Sequence, residues 1–459
     1  MNVAERIAGR LASASSWLAS FPRRFRRETS DGAYRPEIDG LRFFAIAFVI
    51  FGHSIERADR FFASYQNSAA AGELDRYLQL APFGVHLFFA ISGFILATQA
   101  IKANRNPLGA PFLRAYFGRR ILRIEPPYFL LLMATWALIS VTGYVPEGTH
   151  RFDVEPHSLN VSLIGSLFYV HDLVWGTFPR LFPPGWSLEV EVQFYLLAPL
   201  LFWLWSRLTA TGARVAMAGG LLAVGAFFSI LDLQTIGPLH VGFSLLHAFD
   251  FFWLGLILAY GKAEIVARVS ALSPAFVTAL GWSGLALCLL LPAPSPAHPA
   301  LMPEALRTPA VYLGVAAMFA SALDPRSRFR SFCARPWISL IGGACYSIYL
   351  VHLQVIQVLT ALAFRLAPHL PLAGVAAALS VAAVATVAIG LTYYVQIERR
   401  FMARDWPAQA LAAAKRALRF GAAPRPAEFE FGFEIEMPPR AAEAPRPERL
   451  PAPTRRKAA

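Results

Sequence analysis

One apolar stretch of this chain, LRFFAIAFVIFGH, contains an arginine and a histidine, Arg42 and His53. A guanidinium binds anions without ever losing its charge, and a neutral imidazole is the side-chain base best matched to pH 7. Eleven residues at ~100° each make about three full turns, so a helix puts both side chains on one face ~16 Å apart. Polar groups of this kind inside an apolar helix are costly unless they face protein or a wet cavity. The pair therefore marks a site, with Arg42 at a membrane edge and His53 near the middle of a ~30 Å core.

Further candidates lie along the chain. The segment GVHLFFAISGF carries His86 and Ser92, and FGRRILRIEPPY carries Arg119, Arg120 and Arg123. The i, i+1, i+4 spacing of those arginines gives a partly shared face suited to phosphates. PPGWSLEVEVQF holds Trp186, Glu189 and Glu191, His247 and Asp250 follow, and CYSIYLVH holds Tyr346, Tyr349 and His352. Each has a plainer alternative. The arginines can be membrane-edge anchors, the tryptophan and tyrosines packing residues, and His86 and His247 interfacial. Glu191 is harder to dismiss, because it lies ~7.5 Å beyond Trp186 along a helix. Depth counted along each helix puts His53, Glu191, His247, Asp250 and His352 between the middle and the outer half of the membrane, so one shared polar cavity is geometrically open to them.

The elements that must position these groups follow from composition. Of 459 residues, 56% are hydrophobic and only 15% charged, and mean hydropathy is +0.46. Soluble domains average about a quarter charged, so the sequence predicts an all-α polytopic membrane protein. About ten transmembrane helices are expected, near 40–58, 82–101, 126–144, 186–206, 214–232, 241–261, 272–291, 307–323, 337–361 and 372–396. Basic residues alternate with this count. The N-terminal arm, the second, fourth, sixth and eighth connections and the start of the tail are arginine- and lysine-rich, whereas the intervening loops are poor in them. That pattern places both termini in the cytoplasm. The net charge of +13 then expresses topology, and nucleic-acid binding is not expected.

Residues 1–34 read as a basic cytoplasmic arm rather than a signal peptide, because the weakly apolar ASASSWLASF precedes the cluster Arg23, Arg24, Arg26 and Arg27. Residues 401–459, rich in Ala, Pro and Arg, read as a disordered tail. Cys288, Cys333 and Cys345 have no metal or redox spacing, and no metal site is expected.

Six segments in order, RPEIDGLRFFAIAFVIFGH, GVHLFFAISGF, RRILRIEPPY, WSLEVEVQFYLLAP, YSIYLVH and YYVQIERR, resemble the acyltransferase 3 family of integral membrane O-acyltransferases across residues 35–400. The resemblance implies a multi-pass protein of the bacterial inner membrane. It would transfer an acyl group, usually acetyl, from acyl-CoA to a hydroxyl of a carbohydrate or glycolipid acceptor such as lipopolysaccharide, exopolysaccharide or peptidoglycan. It implies no permanently bound cofactor, acetyl-CoA being a substrate. The family's Arg-x10-His signature falls on Arg42 and His53, its basic motif on Arg119, Arg120 and Arg123, and its acidic position on Glu191. Departures are His86 where an acidic residue is common, Val192 where a second one is common, and Glu398-Arg399-Arg400 without a following proline.

With that chemistry in mind, His53 is expected to act as general base and the four arginines to hold the CoA phosphates. Glu191 is expected beside the acceptor as a second catalytic group. His86, Ser92, Trp186 and His352 are candidate substrate contacts. The alternatives are a secondary transporter, a carrier of acyl groups for a separate transferase, a non-catalytic scaffold, or succinyl in place of acetyl transfer.

Overall fold

The computed structural model describes residues 20–27, 34–145, 150, 152–231, 233–291, 303–402 and 406–419. Ten long or apolar helices organise the first of two units, Met1–Ala403. They are α1 (Pro36–Phe61), α2 (Leu80–Ala103), α3 (Ala110–Thr142), α4 (Trp186–Arg207), α5 (Thr211–Leu231), α6 (Phe249–Tyr260), α7 (Pro274–Leu290), α8 (Glu304–Leu323), α9 (Cys345–Leu366) and α10 (Leu372–Tyr393). A two-residue antiparallel hairpin, Thr235–Ile236 with Leu239–His240, is the only sheet among the described residues. The protein is an all-α polytopic membrane protein.

Eight helices, not ten, are long and apolar enough to cross a membrane among the described residues. The two that fall short are α6 and α7, with 12 and 17 residues. A 12-residue helix rises only ~18 Å. The apolar run read as a 241–261 span is used differently at its start, where His247 lies on a short 3-10 turn and only Phe249–Tyr260 is α-helical. Nine of the twelve residues of α6 are buried and none is exposed, so its apolarity serves packing inside the bundle.

Small residues let α6 reach that position. Gly255 sits directly on the Ala90 carbonyl of α2, and Gly93 of α2 sits on the Phe252 carbonyl of α6. A Cβ at either place would collide with backbone, which is how small residues bring membrane helices close. The rings of Phe89 and Phe194 stack on Phe252 at 4.4 and 4.0 Å, joining α2, α4 and α6.

Two boundaries differ from expectation in ways that shape the site. The double proline read as the start of a span at 126 lies inside one continuous helix, α3, which begins at Ala110. Tyrosine hydroxyls from neighbouring helices donate to the carbonyls flanking it, Tyr346 to Ile124 and Tyr393 to Pro127, both at about 2.7 Å or less. These bonds tie α3 to α9 and α10 at the proline pair. Conversely, the span expected at 337–361 is broken after Gly343 into Pro336–Gly343 and α9. Gly342 lies against the Asp39 backbone of α1, and a Gly-Gly pair costs helix stability.

In the second unit, Arg404–Ala459, residues Trp406–Arg419 form a helix within the stretch read as disordered. Its sequence, WPAQALAAAKRALR, is dominated by alanine, leucine and arginine, the strongest helix formers. The remainder of that tail and most of the basic arm lie outside the described residues.

Candidate active site

His53 is held by its own helix. Its Nδ1 lies 2.8 Å from Glu56 Oε2, one turn along α1. A carboxylate only accepts, so Nδ1 carries a proton, and in the neutral imidazole Nε2 presents the lone pair. Glu56 is fixed in turn, since Oε1 accepts from Arg57 at 3.0 Å and from Arg60 at 3.2 Å. Glu56 was not among the sequence candidates, although its i+3 position after His53 was a usable signal.

Across from His53 stands His352 of α9, with ring centroids 5.2 Å apart. The Nδ1 of His352 donates to its own helix carbonyl at Tyr349, 2.5 Å away, so its Nε2 is likewise the unprotonated nitrogen. That nitrogen is buried without a hydrogen-bond partner. Two imidazoles thus meet at the α1–α9 contact, each offering Nε2. The ring of Tyr349 lies 5.1 Å from that of His352, and its hydroxyl binds Ser187 of α4 at 2.7 Å.

Glu191 enters from α4. Ser92 of α2 donates to its Oε1 at 3.0 Å, and the Tyr195 hydroxyl is a second partner. Glu191 also lies within electrostatic reach of Tyr349. Ser92 and Glu191 thus pair α2 with α4, and Tyr349, His352 and His53 form a run of adjacent rings on α9 and α1. Glu189, two residues back and so on the opposite face of α4, serves architecture, accepting the backbone N–H groups of His171 and Asp172 at 3.2 and 3.0 Å.

Toward the basic side lies a second cluster. Arg42 binds Asp39 at 2.5 Å, and Arg27 reaches the same carboxylate at 3.7 Å. Arg123 pairs with buried Glu398 at 3.6 Å, and Ser347 donates to the other Glu398 oxygen at 2.6 Å. Arg27 and Arg42 are close enough to repel Arg123. Three guanidiniums face two carboxylates, which leaves a net positive pocket. Glu398 is placed there by a π turn over Tyr394–Glu398 that ends the α10 helix.

The remaining sequence candidates separate. Arg120 is buried between α2 and α4, donating to Gln99 at 3.4 Å with its guanidinium 3.6 Å over the Tyr116 ring. Arg119 is exposed. The three arginines of the motif therefore do not share one pocket, and only Arg123 joins Arg42. His86 stacks on Phe251 of α6 at 4.7 Å. Two residues earlier, Gly84 packs on Ala45 of α1, so His86 faces away from His53. Trp186 packs on Phe243 at 5.3 Å. Asp250 is buried and accepts from the Tyr312 hydroxyl and its own helix N-terminus.

Residues 35–395 match the model of the acyltransferase 3 family, described as an acyltransferase domain. The chain belongs to the acyltransferase 3 family. Among acyltransferase 3 relatives, it is 26% identical to peptidoglycan O-acetyltransferase OatA of Listeria monocytogenes over 344 residues, 71% of this chain and 50% of that protein. It is 28% identical to nodulation protein 10 of Rhizobium leguminosarum over 218 residues, 45% of this chain and 54% of that one. It is 29% identical to acyltransferase MdmB of Streptomyces mycarofaciens over 178 residues, 38% of this chain and 39% of that one. The chain thus spans about half or less of the length of these relatives. No solved structure matches it.

Proposed function

We propose that this acyltransferase 3 chain is a membrane O-acyltransferase in which His53 is the general base and Glu56 its positioning residue. The donor is acyl-CoA from the cytoplasmic side, its phosphates held by Arg27, Arg42 and Arg123, and the acyl group is acetyl. The acceptor is a hydroxyl of a cell-surface or exported carbohydrate, and the enzyme works in the bacterial inner membrane. The observation that carries this reading is the carboxylate–imidazole pair His53–Glu56, which turns the opposite edge of the His53 ring away from Glu56, with the His352 ring 5.2 Å away. The printed name of one relative, a peptidoglycan O-acetyltransferase, favours acetyl and a glycan hydroxyl.

The step balances on these groups. The acceptor oxygen attacks the thioester carbonyl carbon while His53 Nε2 takes the hydroxyl proton. The tetrahedral oxyanion collapses, the C–S bond breaks, and the imidazolium returns its proton to the departing CoA thiolate. Glu56 accepts from Nδ1 throughout and stabilises the transient imidazolium, the role a carboxylate has in hydrolase triads. Glu191, paired with Ser92, accepts a hydrogen bond from the acceptor sugar and orients its hydroxyl. The deciding experiment compares surface-glycan acetylation by mass spectrometry in cells carrying wild type or His53→Ala. Loss of the acetyl increment with normal membrane insertion is expected, and retained acetylation would remove His53 from the chemistry.

A further inference from the structure

A cavity of 1020 Å³ lies away from the histidine pair, where α2, α4, α5 and α6 end on the same side of the membrane. Its size matches ordinary small-ligand sites. Three cations, Arg105, Arg207 and Arg214, line it against one carboxylate, Glu264. Its aromatic wall is built in place. Trp205 stacks on Tyr260 at 4.7 Å and meets Trp253 edge-on at 6.0 Å, and the Arg207 guanidinium lies 5.2 Å from the Trp203 ring centre.

The lining changes polarity in the same direction on every helix. Along α2 it passes from Ala100 and Ile101 to Asn104 and Arg105, and along α4 from Phe202 and Trp203 to Ser206 and Arg207. On α5 it runs from Ala218 and Val215 back to Arg214 and Thr211, and at the end of α6 from Ile257 through Tyr260 and Gly261 to Glu264 on the short helix Lys262–Ser270 that follows. Each gradient spans about one to two turns, or ~6–10 Å. The polar ends belong to the connections after α2, α4 and α6, which the positive-inside pattern assigns to the cytoplasm. A free anion would use only the arginine end. An amphiphile would use both.

The neighbouring surface fits an amphiphile as well. Gly225 is the one residue of α5 that is buried, and Val215 at the cavity edge is 66% exposed. One wall of the cavity is therefore a helix whose outer side belongs to the bilayer, and a chain leaving the cavity along α5 passes into lipid. We infer that this cavity binds an anionic phospholipid of the cytoplasmic leaflet, its phosphate between Arg105, Arg207 and Arg214 and its acyl chains along α5. Three cations against one carboxylate leave two net positive charges, which give a preference for an anionic over a zwitterionic headgroup of about thirtyfold.

The test uses the purified full chain in detergent with phosphatidylglycerol or phosphatidylcholine of identical acyl chains. Native mass spectrometry is expected to show one retained phosphatidylglycerol, with at least tenfold weaker retention in Arg207→Gln/Arg214→Gln. Equal retention of phosphatidylcholine, or undiminished phosphatidylglycerol binding by the double variant, would overturn the assignment. So would saturable binding of ADP or pyrophosphate that displaces the lipid, because the ligand would then be a soluble phosphate. A photoreactive phosphatidylglycerol on the wild-type protein gives an answer independent of mutation. Labelling concentrated in residues 203–218 is expected, and labelling spread evenly over the helices would refute the site.

Discussion

Replacing Glu56 by glutamine keeps the side chain's shape and its ability to accept from His53 Nδ1, but removes the charge. A hydrogen bond to a charged group is worth ~1.5–3 kcal/mol, and 1.4 kcal/mol is a factor of ten, so kcat is expected to fall roughly 10- to 150-fold. The side chain of Glu56 is 36% exposed and shares its other oxygen with Arg57 and Arg60. Solvent and those cations screen it, which puts the expected loss at the lower end, about tenfold. KM for acetyl-CoA should not move, because Glu56 lies at the base and not at the arginine cluster. Glu56→Asp should recover part of the loss, and His53→Ala alone should cost ~10²–10⁴. The assay is acetyl transfer by membrane vesicles at saturating and limiting acetyl-CoA, with acetylated glycan quantified by mass spectrometry. If Glu56 acts through His53, adding Glu56→Gln to His53→Ala should cost nothing further. Multiplicative losses in the double variant, or a full rate in Glu56→Gln, would refute the reasoning.

Arg42→Ala should raise KM for acetyl-CoA by tenfold or more with a smaller change in kcat, in the same vesicle assay; an unchanged KM would move the donor site elsewhere. Gly255→Val drives a side chain into the Ala90 carbonyl and should cost ~3 kcal/mol, read as a lowered midpoint of thermal unfolding in detergent. In the connection between α3 and α4, burial lowers the His171 imidazole from 6.5 to about 4, with Ser162 and Thr177 as its partners. The unfolded chain takes up that proton first, so the contribution of neutral His171 is complete above pH 6.5 and is lost as pH falls toward 4. Thermal midpoints of wild type and His171→Asn should converge over that window. Comparing the two proteins separates this effect from Asp172, whose carboxyl burial pushes up to about 6.

The helical class and the polar positions on α1 were legible because each is written locally, in apolar runs and an eleven-residue spacing. His352 was legible as a buried histidine, but its approach to His53 was not, because helix neighbours depend on packing between distant segments. Glu56 lies just past the end of the apolar run, where hydropathy carries no signal, although helix geometry alone puts it beside His53. The arginine motif misled for a related reason. Spacing gave Arg119, Arg120 and Arg123 a partly shared face, but α3 meets α2 and α4 on one side and the end of α10 on another, which sends Arg120 and Arg123 to different partners. Glu398 and Arg27, which complete the basic pocket, come from opposite ends of the sequence. The length of α6 was misjudged because hydropathy measures burial and does not separate lipid from protein as the apolar surroundings.

The eleven-residue spacing of Arg42 and His53 has one more consequence. Both side chains face α9, Arg42 beside Cys345 and His53 beside His352, so a stiff helix sets a fixed interval of ~16 Å between the basic pocket and the base. On the proposed acyl-CoA reading, that interval would act as a ruler on the donor. A long thioester can place its charged head at one end and its carbonyl at the other, whereas a small acyl phosphate carries both within a few ångströms and can satisfy only one. Selection among activated acyl donors would then rest on molecular length, enforced by backbone rise, before any contact with the acyl group itself is made.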